Sequence, residues 1–246
     1  MFDRAIGVMS QNAFPSTEWK VVENAKDDDS DGRAALGVLC QNYWYPIYAF
    51  VRGRVRDVHK AQDLTQGFFT HLLTHGVVAS ADQTRGRFRD FLLTCCRNYL
   101  RGHWRWSRAK KNGGGMNPLP LDFEAAEVRY LSDRAWPADA ERQYARTWAL
   151  AVLDRTTARL RDTYVAAGEA DLFDRLSRTL TGDPGAERYA EIGDALGLTP
   201  DQMKKAAGRL RERFKAELHR QVGQTVENPA DVAAEILELF RAVGPG

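Results

Sequence analysis

Between Tyr189 and Phe214 the chain reads YAEIGDALGLTPDQMKKAAGRLRERF, two amphipathic stretches hinged on one glycine, and no other segment limits the fold as strongly. Tyr189, Ile192, Ala195 and Leu196 recur at helical spacing and are expected to form the buried side of a short helix. Gly197 follows directly, and glycine is the residue that enters the left-handed turn ending a helix without steric cost. The next helix is expected to start at Thr199. Its hydroxyl can accept an amide proton three residues on, Gln202 can reach back to close a capping box, and Pro200 takes the first helical position, where a missing donor does no harm. Met203, Ala207, Leu210, Phe214 and Leu218 then make a buried stripe. Gln202, Lys204, Lys205, Arg209, Arg211, Arg213 and Lys215 are left facing outward.

Two helices joined by so short a turn have the geometry of a DNA-reading helix-turn-helix. A charged helix face is ordinarily just solvated, so the balance of charge has to decide. From Lys204 to Arg220 seven Lys and Arg residues stand against two acidic ones, Glu212 and Glu217. That excess suits a groove lined with phosphates.

The whole chain is not basic. It has 246 residues, 43% hydrophobic and 28% charged, with a net charge of only +2, so its cations are concentrated locally. Acidic runs such as Asp27, Asp28, Asp29 and Asp31 offset them elsewhere. No apolar run approaches the roughly 20 residues of a membrane span, and the N-terminus lacks a basic-then-apolar signal pattern, which makes a cytoplasmic location the expectation. The three cysteines, two of them adjacent at Cys95 and Cys96, cannot build a disulfide framework.

The periodicity is helical throughout, and the expected class is all-α: two helical domains joined by a flexible linker containing Gly and Pro. Helices are expected over about Ser16–Ala25, Asp31–Arg54, His59–His75, Arg87–Lys110, Ala138–Thr163, Ala170–Leu180, Glu187–Leu196, Pro200–Val222 and Pro229–Val243. The main break is Lys111–Pro137, with Gly113–Gly115, Pro118, Pro120 and Pro137. The expected division is residues 1–111, a linker at 112–137, and residues 138–246 carrying the helix-turn-helix.

A second informative segment precedes that break, RGRFRDFLLTCCRNYLRGHWRWSRAKK from Arg85 to Lys111, with nine Lys and Arg residues against Asp90 alone. Wound as a helix it puts Phe88, Phe91, Leu92, Cys95, Tyr99 and Trp106 on one side, and Arg97, Arg101, Trp104, Arg105 and Arg108 on the other. The first set is ordinary core. The second mixes cations with an aromatic, which is how proteins hold single-stranded or melting DNA.

The order of these parts resembles a bacterial RNA polymerase sigma factor of the small, two-domain extracytoplasmic-function (ECF) type. The likeness rests on YWYPIYAFVR (Tyr43–Arg52), AQDLTQGFF (Ala61–Phe69), RFRDFLLTCCRNYL (Arg87–Leu100), the Gly- and Pro-rich break and the final helix-turn-helix, with FPSTEWKVV (Phe14–Val22) similar to the opening of one branch. It covers nearly the whole chain. The resemblance implies binding to core RNA polymerase through Asp63 and Gln66, with Leu64 and Phe68 packing at the same surface. It implies that the loop Asp82–Arg87 captures a flipped base of the minus-ten element, with Arg85 and Arg87 in or beside that loop and Asn98 at the pocket wall. Arg101, Trp104, Arg105 and Arg108 would follow the strand. Gln202, Lys204, Lys205 and Arg209 would read the minus-thirty-five element, and an anti-sigma protein would hold the factor silent.

The sequence departs from that pattern at Gly67, where the docking helix usually carries an acidic residue, at His59–Lys60, and at Gly208 inside the recognition helix. Gly168–Pro184 and the helix after Pro229 exceed the minimal plan and read as an enlarged second domain. No enzyme and no cofactor are expected, because neither paired carboxylates nor a phosphate-binding glycine loop is present. His71 and His75 lie one turn apart, but a compact third ligand for a metal is lacking. The main alternative is a free-standing helix-turn-helix regulator; another is an interaction adaptor that kept the fold and lost DNA binding.

Overall fold

A computed structural model describes residues 19–27, 29–106, 121–132, 139–180, 188–226 and 228–244, apart from the side chains of Lys20, Trp104, Arg105 and Trp106. Every regular element among the described residues is a helix, and the protein is all-α. In chain order these are α1 (Trp19–Asn24), α2 (Ser30–Arg54), α3 (Val58–Thr74), α4 (Phe88–Trp106), α5 (Phe123–Ser132), α6 (Ala140–Ala166), α7 (Ala170–Leu180), α8 (Tyr189–Leu196), α9 (Pro200–Gly223) and α10 (Val232–Val243), with short 3-10 turns at Val77–Ser80, Gln83–Arg85 and Pro229–Asp231. No helix among them is long and apolar enough to cross a membrane.

The contacts divide the chain into two compact units. One includes Val152–Gln221; the other joins Pro15–Ala151 to Val222–Gly246. The boundaries therefore fall within the α6 and α9 sequences, not at the Gly- and Pro-rich break. Part of the expected linker is α5. Asp122 starts that helix by accepting from the Ala125 amide at 3.0 Å. Phe123 packs edge-on against Trp44, with ring centres 6.0 Å apart, and 5.5 Å from Tyr48. Glu127 accepts from Tyr48 Oη and from Arg52 at 3.0 Å. Burial alone would raise the Glu127 carboxyl, but the bonds from Arg52 and Tyr48 outweigh it and hold the group below the usual carboxylate range. The glycines and prolines on either side of α5 hid its ten residues from a compositional reading.

In the unit holding α1 to α5, the core is built on α2, where Leu39, Tyr43, Ile47, Tyr48, Phe50 and Val51 are buried, and on Leu64, Phe68, Phe69, Phe88, Leu92 and Cys96 from α3 and α4. Asp29 and Asp57 cap α2 and α3, accepting from the amides of Gly32 at 2.7 Å and Lys60 at 2.8 Å. Cys40 and Cys96 behave as small hydrophobes, and burial pushes the Cys40 thiol up to about 12. Gly67 has a packing reason. A Cβ there would sit 2.4 Å from the hydroxyl of Tyr99, which lies against Phe68 and His71.

The other unit closes over Leu160, Tyr164, Phe173, Leu176, Ile192, Met203, Ala207 and Leu210. Phe173 and Leu176 come from α7, so the segment that exceeded the minimal plan contributes to this core.

Candidate nucleic-acid interface

The helix-turn-helix forms as its local chemistry dictates. Gly197 adopts φ 65° and ψ 29°, and the amides of Leu198 and Gly197 return to the carbonyls of Gly193 and Asp194 at 2.8 and 3.4 Å. The capping box is present in both directions: the Thr199 amide donates to Gln202 Oε1 at 2.8 Å, and the Gln202 amide to Thr199 Oγ1 at 3.3 Å. The close approach of the two helices depends on Gly193, where a Cβ would stand 2.9 Å from Met203 Cγ and 3.1 Å from the Leu198 carbonyl oxygen. That requirement was not read from the sequence, although a glycine on the inner side of α8 was its signal.

Met203, Ala207, Leu210 and Leu218 are buried as expected and Phe214 is half-buried. Tyr189 and Ala195 are exposed, a correction to the expected buried face of α8, whose contacts come instead from Ile192, Gly193 and Leu196. Gln202, Lys204, Lys205 and Arg209 are all exposed. Arg211 donates to Tyr189 Oη at 2.6 Å and Arg213 lies 5.1 Å over the Tyr164 ring, so these two cations are partly engaged by the unit itself. Lys204, Lys205 and Arg209 make no such contact among the described residues. The Gln202 oxygen is spent on the cap, which leaves its NH2 group as the part able to reach a ligand.

Gly208 lies on this same outward side, and α9 runs through it unbroken. A Cβ at Gly208 would meet nothing within 4 Å. Gly208→Ala is expected to raise the unfolding free energy by about 0.5–1 kcal/mol, because alanine has less conformational entropy to lose. Urea denaturation measures it, and an unchanged midpoint would show that the helix does not limit stability there.

On α3, Asp63 is exposed and Gln66 half-buried, one turn apart. Leu64 and Phe68 are 2% and 1% exposed, which removes both from the expected polymerase-contacting set: they are core of their own unit. His71 and His75 stack with ring centres 4.3 Å apart, and burial, then the neighbouring His75, pulls the His71 imidazole down. No group of three metal-ligating side chains occurs among the described residues.

The loop before α4 is shaped by Asp82, which accepts from the Thr84 amide at 3.0 Å and its hydroxyl at 2.7 Å, and by Gly86 at φ 123°. Arg85, Asn98 and Arg101 are exposed, the last two on neighbouring turns of one α4 face. The side chains of Trp104 and Arg105, and all of Arg108, lie outside the described residues. Arg97 is not open, since it pairs with Glu141 at 2.8 Å.

Arg87 is not open either. It meets Glu235 at 2.9 Å and Glu238 at 2.6 Å, both on α10. Arg89, which the sequence reading left without a role, pairs with Glu235 at 2.8 Å and lies 3.9 Å over the Trp148 ring. Tyr144 Oη donates to the Arg89 carbonyl at 3.0 Å. The Glu235 side chain is 1% exposed; burial pushes its carboxyl up, and the guanidinium charges of Arg89 and Arg87 oppose that shift. A lone glutamate on the apolar stripe of VAAEILELFRAV was the signal for a buried cation partner. Arg146 donates to the Val243 carbonyl at 2.8 Å, securing the C-terminal end of α10.

Comparison with protein-family models, curated proteins and solved structures finds no match to this chain.

Proposed function

We propose that the protein is a sigma factor, which binds core RNA polymerase, recognises promoter DNA and starts transcription under the control of an anti-sigma partner in the cytoplasm. The observation that carries the reading is α9: a helix started by a two-way capping box, seated by Gly193 and Gly197, and presenting Lys204, Lys205 and Arg209 without partners among the described residues. A helix held this way suits the major groove, where Lys and Arg match guanine acceptors. Exposed Arg85, Asn98 and Arg101 supply cations and a polar group for a separated strand, and exposed Asp63 beside Gln66 offers the polymerase a polar contact above the buried Leu64 and Phe68.

Run-off transcription with purified core polymerase on genomic fragments from the source organism tests this. Asp63→Ala with Gln66→Ala is expected to lower core affinity about tenfold while the melting temperature holds, since neither side chain is part of the core. A regulator that works alone would behave oppositely. Promoter output untouched by that pair, with duplex binding independent of polymerase, would replace the sigma reading with that of a free-standing helix-turn-helix regulator.

A further inference from the structure

We propose that α10 is an acidic cap in cis, and that single-stranded nucleic acid competes with Glu238 for Arg87. The proposal rests on the reading of the loop before α4 as DNA-facing. The contact has two tiers. The inner tier is Arg89 with Glu235, whose side chains are 12% and 1% exposed; with Trp148 against Arg89, it fixes α10 in place. The outer tier is Arg87 with Glu238, 29% and 47% exposed; Arg87 also reaches Glu235 at 2.9 Å, a contact that it can keep when Glu238 is displaced. One Glu238 oxygen takes Arg87 at 2.6 Å and Arg89 at 3.2 Å, as a phosphate oxygen does between two guanidinium groups.

The two tiers respond differently to a competing anion. Breaking the buried pair strands a carboxylate away from water, whereas the exposed pair exchanges at little cost. Exposed Arg85, two residues before Arg87, adds a second charge to which a strand can bind. Glu238 therefore lowers the affinity of this loop for anions without being needed to hold the fold.

Fluorescence anisotropy of the full chain with a labelled single-stranded oligonucleotide tests the cap. Glu238→Gln is expected to bind about three- to tenfold more tightly, with a salt slope steeper by about 0.7 and an unchanged melting temperature. Glu238→Lys should give a larger gain, and adding Arg87→Ala to Glu238→Gln should abolish it. Unchanged affinity in both Glu238 variants, or a gain that survives Arg87→Ala, overturns the proposal. Run-off transcription with the same proteins separates the two readings. Promoter-specific transcription with single-strand affinity unmoved by Glu238→Gln sinks the cap alone; tighter single-strand binding without any transcription keeps the cap and sinks the sigma assignment.

Discussion

Arg89→Met lowers the unfolding free energy by about 3 kcal/mol, the cost of leaving a buried carboxylate short of its partner. Glu235 has almost no access to water, and Arg87 at 2.9 Å compensates only in part, which places the loss toward the lower end for a broken buried pair. The ring of Trp148 loses its cation at the same time. Changing both partners, Arg89→Met with Glu235→Leu, should recover most of the loss, because an apolar pair of similar volume strands no charge. Urea denaturation of the two variants gives the comparison. A single substitution that costs no more than the double one would mean that the ion pair is incidental to the seating of α10.

Lys205→Ala with Arg209→Ala is expected to reduce promoter-directed transcription at least about tenfold, with core-polymerase binding and thermal stability preserved. The two side chains are four apart and exposed, so their loss removes charge without opening the core beneath Met203, Ala207 and Leu210. If each contacts one phosphate, the dependence of log affinity on log salt should flatten by about 1.8, twice the value for one contact on duplex DNA. Binding to a promoter duplex across a salt series measures it. An unchanged slope would rule this face out as a DNA contact, whatever the transcription result.

Local signals were the legible part of this fold. The capping pair Thr199 and Gln202, the turn at Gly197 and the stripe through Met203, Ala207 and Leu210 depend on neighbours within a few residues, and the sequence displays all of them. Long-range partners were not legible. Glu127 finds Arg52 75 residues back, and Glu235 finds Arg89 across 146 residues, and no local pattern encodes either pairing. The same limit explains Gly67, which read only as a missing acidic residue until Tyr99 filled the space above it. It explains Leu64 and Phe68 too, since the stripe that marks a helix face does not say whether that face meets its own unit or a partner. Arg87 carried the charge expected of a DNA contact and was found already paired.

The pairing of α4 with α10 also sets an order of events at the ribosome. Arg87 and Arg89 leave the exit tunnel far ahead of Glu235 and Glu238, and at about 5–20 residues per second the gap of 146 residues lasts roughly 7–30 s. Val152–Gln221 is synthesised within that interval, before the unit it interrupts receives its closing helix. Until α10 is made, Arg87 and Arg89 lack the Glu235 and Glu238 partners of the folded chain, and their pairing marks the completion of synthesis through α10.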